Sequence, residues 1–144
     1  MSSITFVIPG NPRGKGRHRT VRIGNKNIFR TPEETANYEN LVKLFFRNAA
    51  ASVGWRMVEP GIPLFVTIDV RFKAAKSMTR KKLDACGWWV TKTPDCDNIE
   101  KIILDALNGI AYYDDSQVAK QMCSKRYTVN EPTVMVKIST KETE

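Results

Sequence analysis

The sequence predicts a single α+β domain, a mixed β-sheet packed by helices. Three observations lead there. Alternating runs of β-branched and aromatic residues occur near both ends and in the middle of the chain. Stretches with apolar residues at helical spacing lie between them. The 144 residues are enough for one buried core, and no repeat, low-complexity tract or linker divides them, so residues 1–144 read as one domain.

Ile4 to Ile8 alternate and stop at Pro9-Gly10, which makes a short strand closed by a turn. Arg13 to Arg30 is basic and contains no acid; Gly24-Asn25 between Val21-Ile23 and Ile28-Phe29 suggests a hairpin within it. Thr31-Pro32-Glu33-Glu34 opens a helix, with Thr as cap, Pro in the first turn and acids at the positive dipole end. Tyr38, Leu41, Val42, Phe45, Phe46 and Ala49 carry that helix to about Val53, before Gly54. Pro63 to Phe72 alternates as a half-buried strand, and Ser77 to Ala85 is a short basic helix. A loop with Trp88-Trp89 leads to a helix from about Asp97 to Asn108, ended by Gly109. Gln117 to Val129 and Thr133 to Ile138 are the last strands, joined at Asn130-Glu131-Pro132.

Charge points to a partner. With 23 Lys and Arg against 15 Asp and Glu, the chain carries +8. An excess of that size favours a polyanion, because each cation facing a phosphate releases counterions; ribosomal and membrane-surface proteins share the balance. No apolar run is long enough to span a bilayer and the N-terminus has no signal-peptide pattern, so a cytoplasmic protein is expected. Cys86, Cys96 and Cys123 are odd in number and lack C-x-x-C spacing, which argues for reduced thiols. His18 is the single histidine, so no centre needing two can be built; His18 is read as part of the basic arm, without a catalytic role.

The acids, by contrast, are concentrated. Asp95, Asp97, Glu100, Asp105, Asp114 and Asp115 fall close together in a basic protein. Two carboxylates about 4 Å apart repel by roughly 4 kcal/mol at an effective dielectric of about 20. Such a cluster persists if the groups point apart, share a proton or bind a cation, and carboxylate oxygens suit Mg²⁺ or Mn²⁺. Structural roles compete at each position. Asp97 with Glu100 fits a capping box, Lys101 fits an ion-pair row with Asp97 and Asp105, and Asp114-Asp115 fits an exposed turn.

Taken as a unit, Thr93-Pro94-Asp95-Cys96-Asp97-Asn98-Ile99-Glu100-Lys101, Leu104-Asp105-Ala106-Leu107-Asn108-Gly109 and Tyr113-Asp114-Asp115-Ser116-Gln117-Val118 resemble the signature of RusA-family Holliday junction endonucleases. That pattern is P-D-x-D-N-x-x-K, then a D-A-L helix, then D-D-x-Q-V. The resemblance extends more loosely to Ile8-Pro9-Gly10-Asn11-Pro12 and to Lys76 to Leu83. It implies a Mg²⁺ site (Mn²⁺ substituting) formed by Asp95, Asp97 and Asp115, with Asp114 a candidate auxiliary ligand and Lys101 assisting catalysis. It also implies a homodimer acting on four-way and other branched DNA in recombination and repair, with no small-molecule substrate, and an origin often in prophages. Asn98 matches a family position as a supporting hydrogen bonder or a direct contact. Cys96 stands where the family often has an aliphatic residue.

The expected DNA-binding residues are Arg13, Lys15, Arg17 and Arg19 on a mobile basic loop that orders on DNA, with Arg80, Lys81, Lys82 and Lys92 as a second patch. Lys120, Lys125 and Arg126 extend that patch or simply charge a sheet. One of Trp88 and Trp89 belongs to the core or a dimer seam, and the other is a candidate to stack on an unpaired base. Two other readings stand beside the nuclease. A non-catalytic branched-DNA-binding module gains nothing from carboxylates beside phosphate. An enzyme holding a Mg²⁺-nucleotide lacks the G-x-x-x-x-G-K-[ST] loop here.

Overall fold

A computed structural model describes residues 2–16, 19–30 and 32–142, with backbone alone at 19–21 and 28–30. The strands are β1 (Ser3–Pro9), β2 (Arg19–Ile23), β3 (Lys26–Arg30), β4 (Leu64–Lys73), β5 (Val118–Thr128) and β6 (Thr133–Ser139). The helices are α1 (Glu33–Val53), α2 (Arg80–Ala85) and α3 (Cys96–Leu107), and Asp115–Gln117 forms a 3-10 turn. The expected α+β domain with a mixed sheet packed by helices is therefore what forms.

Four strands make the main sheet in the order β1-β6-β4-β5. The β1/β6 and β6/β4 pairs are antiparallel, and β4/β5 is parallel. A parallel pair needs a long crossover, and here it contains α2, the Trp88-Trp89 loop and α3. The sheet alternation in the sequence has a direct counterpart in burial. Ile4, Phe6 and Ile8 of β1, Leu64, Val66, Ile68 and Val70 of β4, and Val134, Val136 and Ile138 of β6 all face one core.

Two helices cover that face. Helix α1 contributes Tyr38, Val42 and Phe46 at one-turn spacing, with Phe46 edge-on to Phe6 at 5.6 Å between ring centroids. It ends where Gly54 turns left-handed, at φ 71°. Helix α3 buries Ile99, Ile102, Ile103, Ala106 and Leu107 almost completely. The other face of the sheet carries Val7, Met122 and Met135, each more than a third exposed.

The last two strands, joined at Asn130-Glu131-Pro132, do not pair with each other: β4 lies between β5 and β6 and pairs with both. One expectation changes. The segment expected to be a mobile basic loop has two ordered parts among the described residues. Residues 19–30 are the β2-β3 hairpin, and Lys15 and Gly16 are hydrogen-bonded to α3 and α1. Arg17, His18 and Thr31 lie outside the described residues, as does the side chain of Arg19.

Candidate active site

Pro94 ends the approach to α3, and the next residue takes an extended conformation (Asp95, φ −73°, ψ 155°) in the cap position. Its carbonyl accepts from the Ile99 amide at 3.0 Å, so the helix starts two residues earlier than the capping-box reading placed it. That reading is corrected: Asp97 lies inside the first turn of α3 and no Asp97–Glu100 box forms. The Asp95 carboxylate sits at the cap without making a capping hydrogen bond. Asp95, Asp97, Asn98 and Lys101 are all exposed at this end of the helix. A helix N-terminus tolerates two neighbouring carboxylates there because its dipole end is positive.

Glu100, read from the sequence as the capping-box partner of Asp97, is turned into the protein instead. It is only 9% exposed, on the apolar side of α3 beside Ile99. Burial pushes its carboxyl up, and the nearby Asp97 charge pushes in the same direction. Its place beside Ile99 and one turn before Ile103 was the signal in the sequence. Cys96 donates to the Cys123 carbonyl at 3.6 Å, and burial pushes the Cys123 thiol up. All three cysteines are free.

The ion-pair row expected through Lys101 does not form. Lys101 makes no ion pair among the described residues, while Asp105 pairs with Lys15 at 3.4 Å. At the far end of α3, Asp114 caps the 3-10 turn, accepting from the Ser116 amide at 3.2 Å, and the Ser116 side chain together with that amide holds its carboxyl below the usual range. Gln117 completes the turn. Its Oε1 accepts from the Tyr113 and Asp114 amides at 2.9 and 3.1 Å, and its Nε2 donates to the Glu59 carbonyl at 2.8 Å. Asp115 is fixed through its backbone, donating to Asn108 Oδ1 at 2.8 Å. Its carboxylate makes no hydrogen bond among the described residues and is partly exposed.

Distance separates the two acidic ends. Helix α3 has 12 residues, so at about 1.5 Å per residue its start, with Asp95 and Asp97, lies roughly 15–18 Å from its end, where the Asp115 amide is bonded to Asn108. Among the described residues no three acidic, histidine or cysteine groups converge closely enough to hold an ion.

The comparison with known proteins bears on what these acids do. The family model described as Endodeoxyribonuclease RusA matches residues 9–139. The chain belongs to the RusA endodeoxyribonuclease family. Uncharacterized protein YqaN of Bacillus subtilis (strain 168) is 32% identical over 145 residues, covering 96% of each chain. The family match spans the strand β1 turn through β6, and so takes in both acidic ends of α3.

The basic residues of this RusA-family chain divide into free and engaged groups. Lys81, Lys82 and Lys92 are exposed, as is Arg80, which lies over the Trp88 ring at 5.8 Å. Arg13 is half-exposed and pairs with Glu34 at 3.6 Å. Lys15, expected among the DNA-binding residues, is engaged within the chain: its side chain is only 13% exposed, and its ammonium is held by Glu39 at 3.1 Å and by Asp105. Lys125 is also engaged, donating to the Lys92 and Pro94 carbonyls at 2.6 and 3.1 Å, and Lys120 pairs with Glu142. The tryptophans differ in exposure. Trp88 packs with Leu83, Val90 and Tyr127, whereas Trp89 is 48% exposed with the Arg126 guanidinium 4.1 Å over its ring.

A cleft of about 660 Å³ opens beside the N-terminus of α3, lined by Pro12, Arg13, Pro32, Thr93, Pro94 and Asn98 among others. It adjoins Asp95 and Asp97 in sequence on one wall and the 12–16 segment on the other.

Proposed function

We propose that this chain is a Mg²⁺-dependent endodeoxyribonuclease that resolves Holliday junctions and other branched DNA by phosphodiester hydrolysis, in recombination and repair. The observation that carries the reading is the pair of exposed, uncapped carboxylates at the start of α3 in a family member of net charge +8. Asp95, Asp97 and Asp115 offer only hard oxygen donors, a set that fits Mg²⁺ and admits Mn²⁺. When bound there, the ion supplies Lewis acidity and an activated water.

The chain's own residues do the rest. Lys101, one turn beyond Asp97, presents its ammonium to the phosphate oxygens near the acids. Arg80, Lys81, Lys82, Lys92 and Arg13 hold the flanking backbone, each phosphate contact strengthening binding at low salt. Asp114 shapes the turn that carries Asp115 rather than ligating.

A homodimer completes the arrangement. Since α3 keeps Asp115 away from Asp95 and Asp97 within one chain, a three-carboxylate set forms when Asp115 of a second copy meets the first copy's α3 N-terminus. A two-fold protein then carries two such sites to the two strands of a two-fold junction. The reading places the protein in the cytoplasm with DNA; no helix among the described residues is long and apolar enough to cross a membrane.

The test is an end-labelled four-way junction incubated with Mg²⁺ or with chelator, using wild type and Asp97→Asn. Paired nicks only with metal, and a variant that binds without cutting, support the reading. A wild type that binds the junction yet leaves it whole in Mg²⁺ and Mn²⁺ makes the protein a branched-DNA-binding module instead.

A further inference from the structure

We propose that Lys15 is a positioning residue for the acids of α3, holding a strap of chain across the start of that helix. The proposal rests on the nuclease reading above for its catalytic consequence, though its structural core stands apart from it.

Residue 15 ties three elements together. Its amide donates to the Asn98 carbonyl in the first turn of α3 at 3.0 Å. Its ammonium reaches Asp105 two turns further along the same helix and Glu39 on α1. The next residue extends the attachment, with the Gly16 amide donating to Thr35 Oγ1 at 3.1 Å. One residue therefore spans much of α3 and fastens it to α1.

The two glycines beside it show how closely the strap lies. A Cβ on Gly14 would stand 3.0 Å from the Pro94 Cβ and 3.1 Å from the Asn98 Cβ. A Cβ on Gly16 would stand 2.6 Å from Thr35 Oγ1. Pro94 precedes Asp95 and Asn98 follows Asp97, so the strap bears on both sides of the two acids. Lys125 holds the opposite flank of the same loop through the Lys92 and Pro94 carbonyls. The α3 N-terminus is thus held between two lysines that spend their hydrogen bonds on the protein.

Without the Lys15 ammonium, Glu39 and Asp105 lose their shared cation and the strap loses its anchor. The wall of the cleft then shifts relative to Asp95 and Asp97. Effective catalysis tolerates little displacement of this kind. The expected signature is a rate defect without a binding defect, the reverse of what a phosphate-gripping lysine gives.

The experiment measures Lys15→Met, Lys15→Arg and Gly14→Ala against wild type. Single-turnover cleavage of the junction at saturating protein is expected to fall at least 10-fold in Lys15→Met and in Gly14→Ala, with Lys15→Arg recovering most of the rate. The junction Kd and the slope of log Kd against log salt are expected to stay at wild-type values. Weaker binding with a slope reduced by about 1 and an intact rate would make Lys15 a phosphate contact and overturn the proposal. So would a wild-type rate in Lys15→Met. Hydrogen exchange supplies the readout independent of activity: amides at 15–16 and 98–101 are expected to exchange at least 10-fold faster in Lys15→Met, with those of β4 unchanged. If wild type cuts no junction, the nuclease reading fails while this exchange result still decides the role of Lys15; unchanged exchange sinks it. Gly14→Ala keeps the charges in place, so it decides the positioning claim if Lys15→Met does not fold.

Discussion

Mixing two inactive chains tests how the acids are shared. Asp97→Asn removes one acid at the start of α3, and Asp115→Asn removes the one beyond its end. Each homodimer is expected to be dead, since every site lacks one carboxylate. The heterodimer differs if sites are shared across the two-fold. One of its sites receives both substitutions, while the other combines an intact Asp95 and Asp97 with an intact Asp115. Random association makes about half of the dimers mixed, each with one working site of two, so nicking recovers to about a quarter of the wild-type level. The products carry a further mark: isolated single nicks rather than the paired cuts that resolve a junction. The assay is co-expression with two affinity tags, tandem purification of the mixed dimer, and cleavage of a labelled junction; the purified heterodimer should reach about half of wild type. A purified heterodimer as inactive as its parents would refute the sharing, because acids confined to one chain leave both of its sites broken.

Four further outcomes follow from individual side chains. The Tyr38 hydroxyl is buried without a hydrogen-bond partner among the described residues, so Tyr38→Phe should raise stability in urea by about 1 kcal/mol. Burial pushes the same hydroxyl from 10 up to about 12. A raised folded value means its contribution is full below pH 10 and lost as pH rises through about 12, so the wild type should lose stability across that window more steeply than Tyr38→Phe. Tyr112 has the opposite standing: its hydroxyl donates to the Leu104 carbonyl at 2.6 Å in the core, and Tyr112→Phe should cost about 1–2 kcal/mol by the same measurement. Lys81→Gln with Lys82→Gln should weaken junction binding at low salt and lower the salt slope by about 1 for each phosphate left without its cation, with the cleavage rate at saturation unchanged.

The elements were legible in the sequence because each has a local period. Alternation in Ile4 to Ile8 and in Leu64 to Phe72, and one-turn spacing in Tyr38, Val42 and Phe46, need no knowledge of partners. Pairing is different. Nothing in residues 118–139 says that β4 will insert between the last two strands, since that contact joins residues far apart in the chain. The same limit hid the contacts of Lys15, whose charge reads as one more cation in a basic run until Glu39 and Asp105 arrive from two helices. At α3 the error was one of phase. A D-x-x-E spacing fits a capping box, but Pro94 and an extended Asp95 start the helix earlier and turn Glu100 inward. The gap between Asp97 and Asp115 was not legible either, because residues 108–114 could have folded back along the helix; the Asp115–Asn108 bond holds the turn at the far end.

The 3-10 turn after α3 divides a short acidic motif into parts with separate fates. Gln117 needs an acceptor on one side and a donor on the other, a demand met by an amide and not by a carboxylate. Asp114 caps, and Asp115 alone has a carboxylate left over. A descendant that ceased to cut DNA while still needing to fold would keep Asp114 and Gln117 and be at liberty to lose Asp115. If Asp115 serves as proposed, erosion at that position in a lineage whose turn is otherwise intact would mark a chain that has given up cutting DNA while keeping its fold.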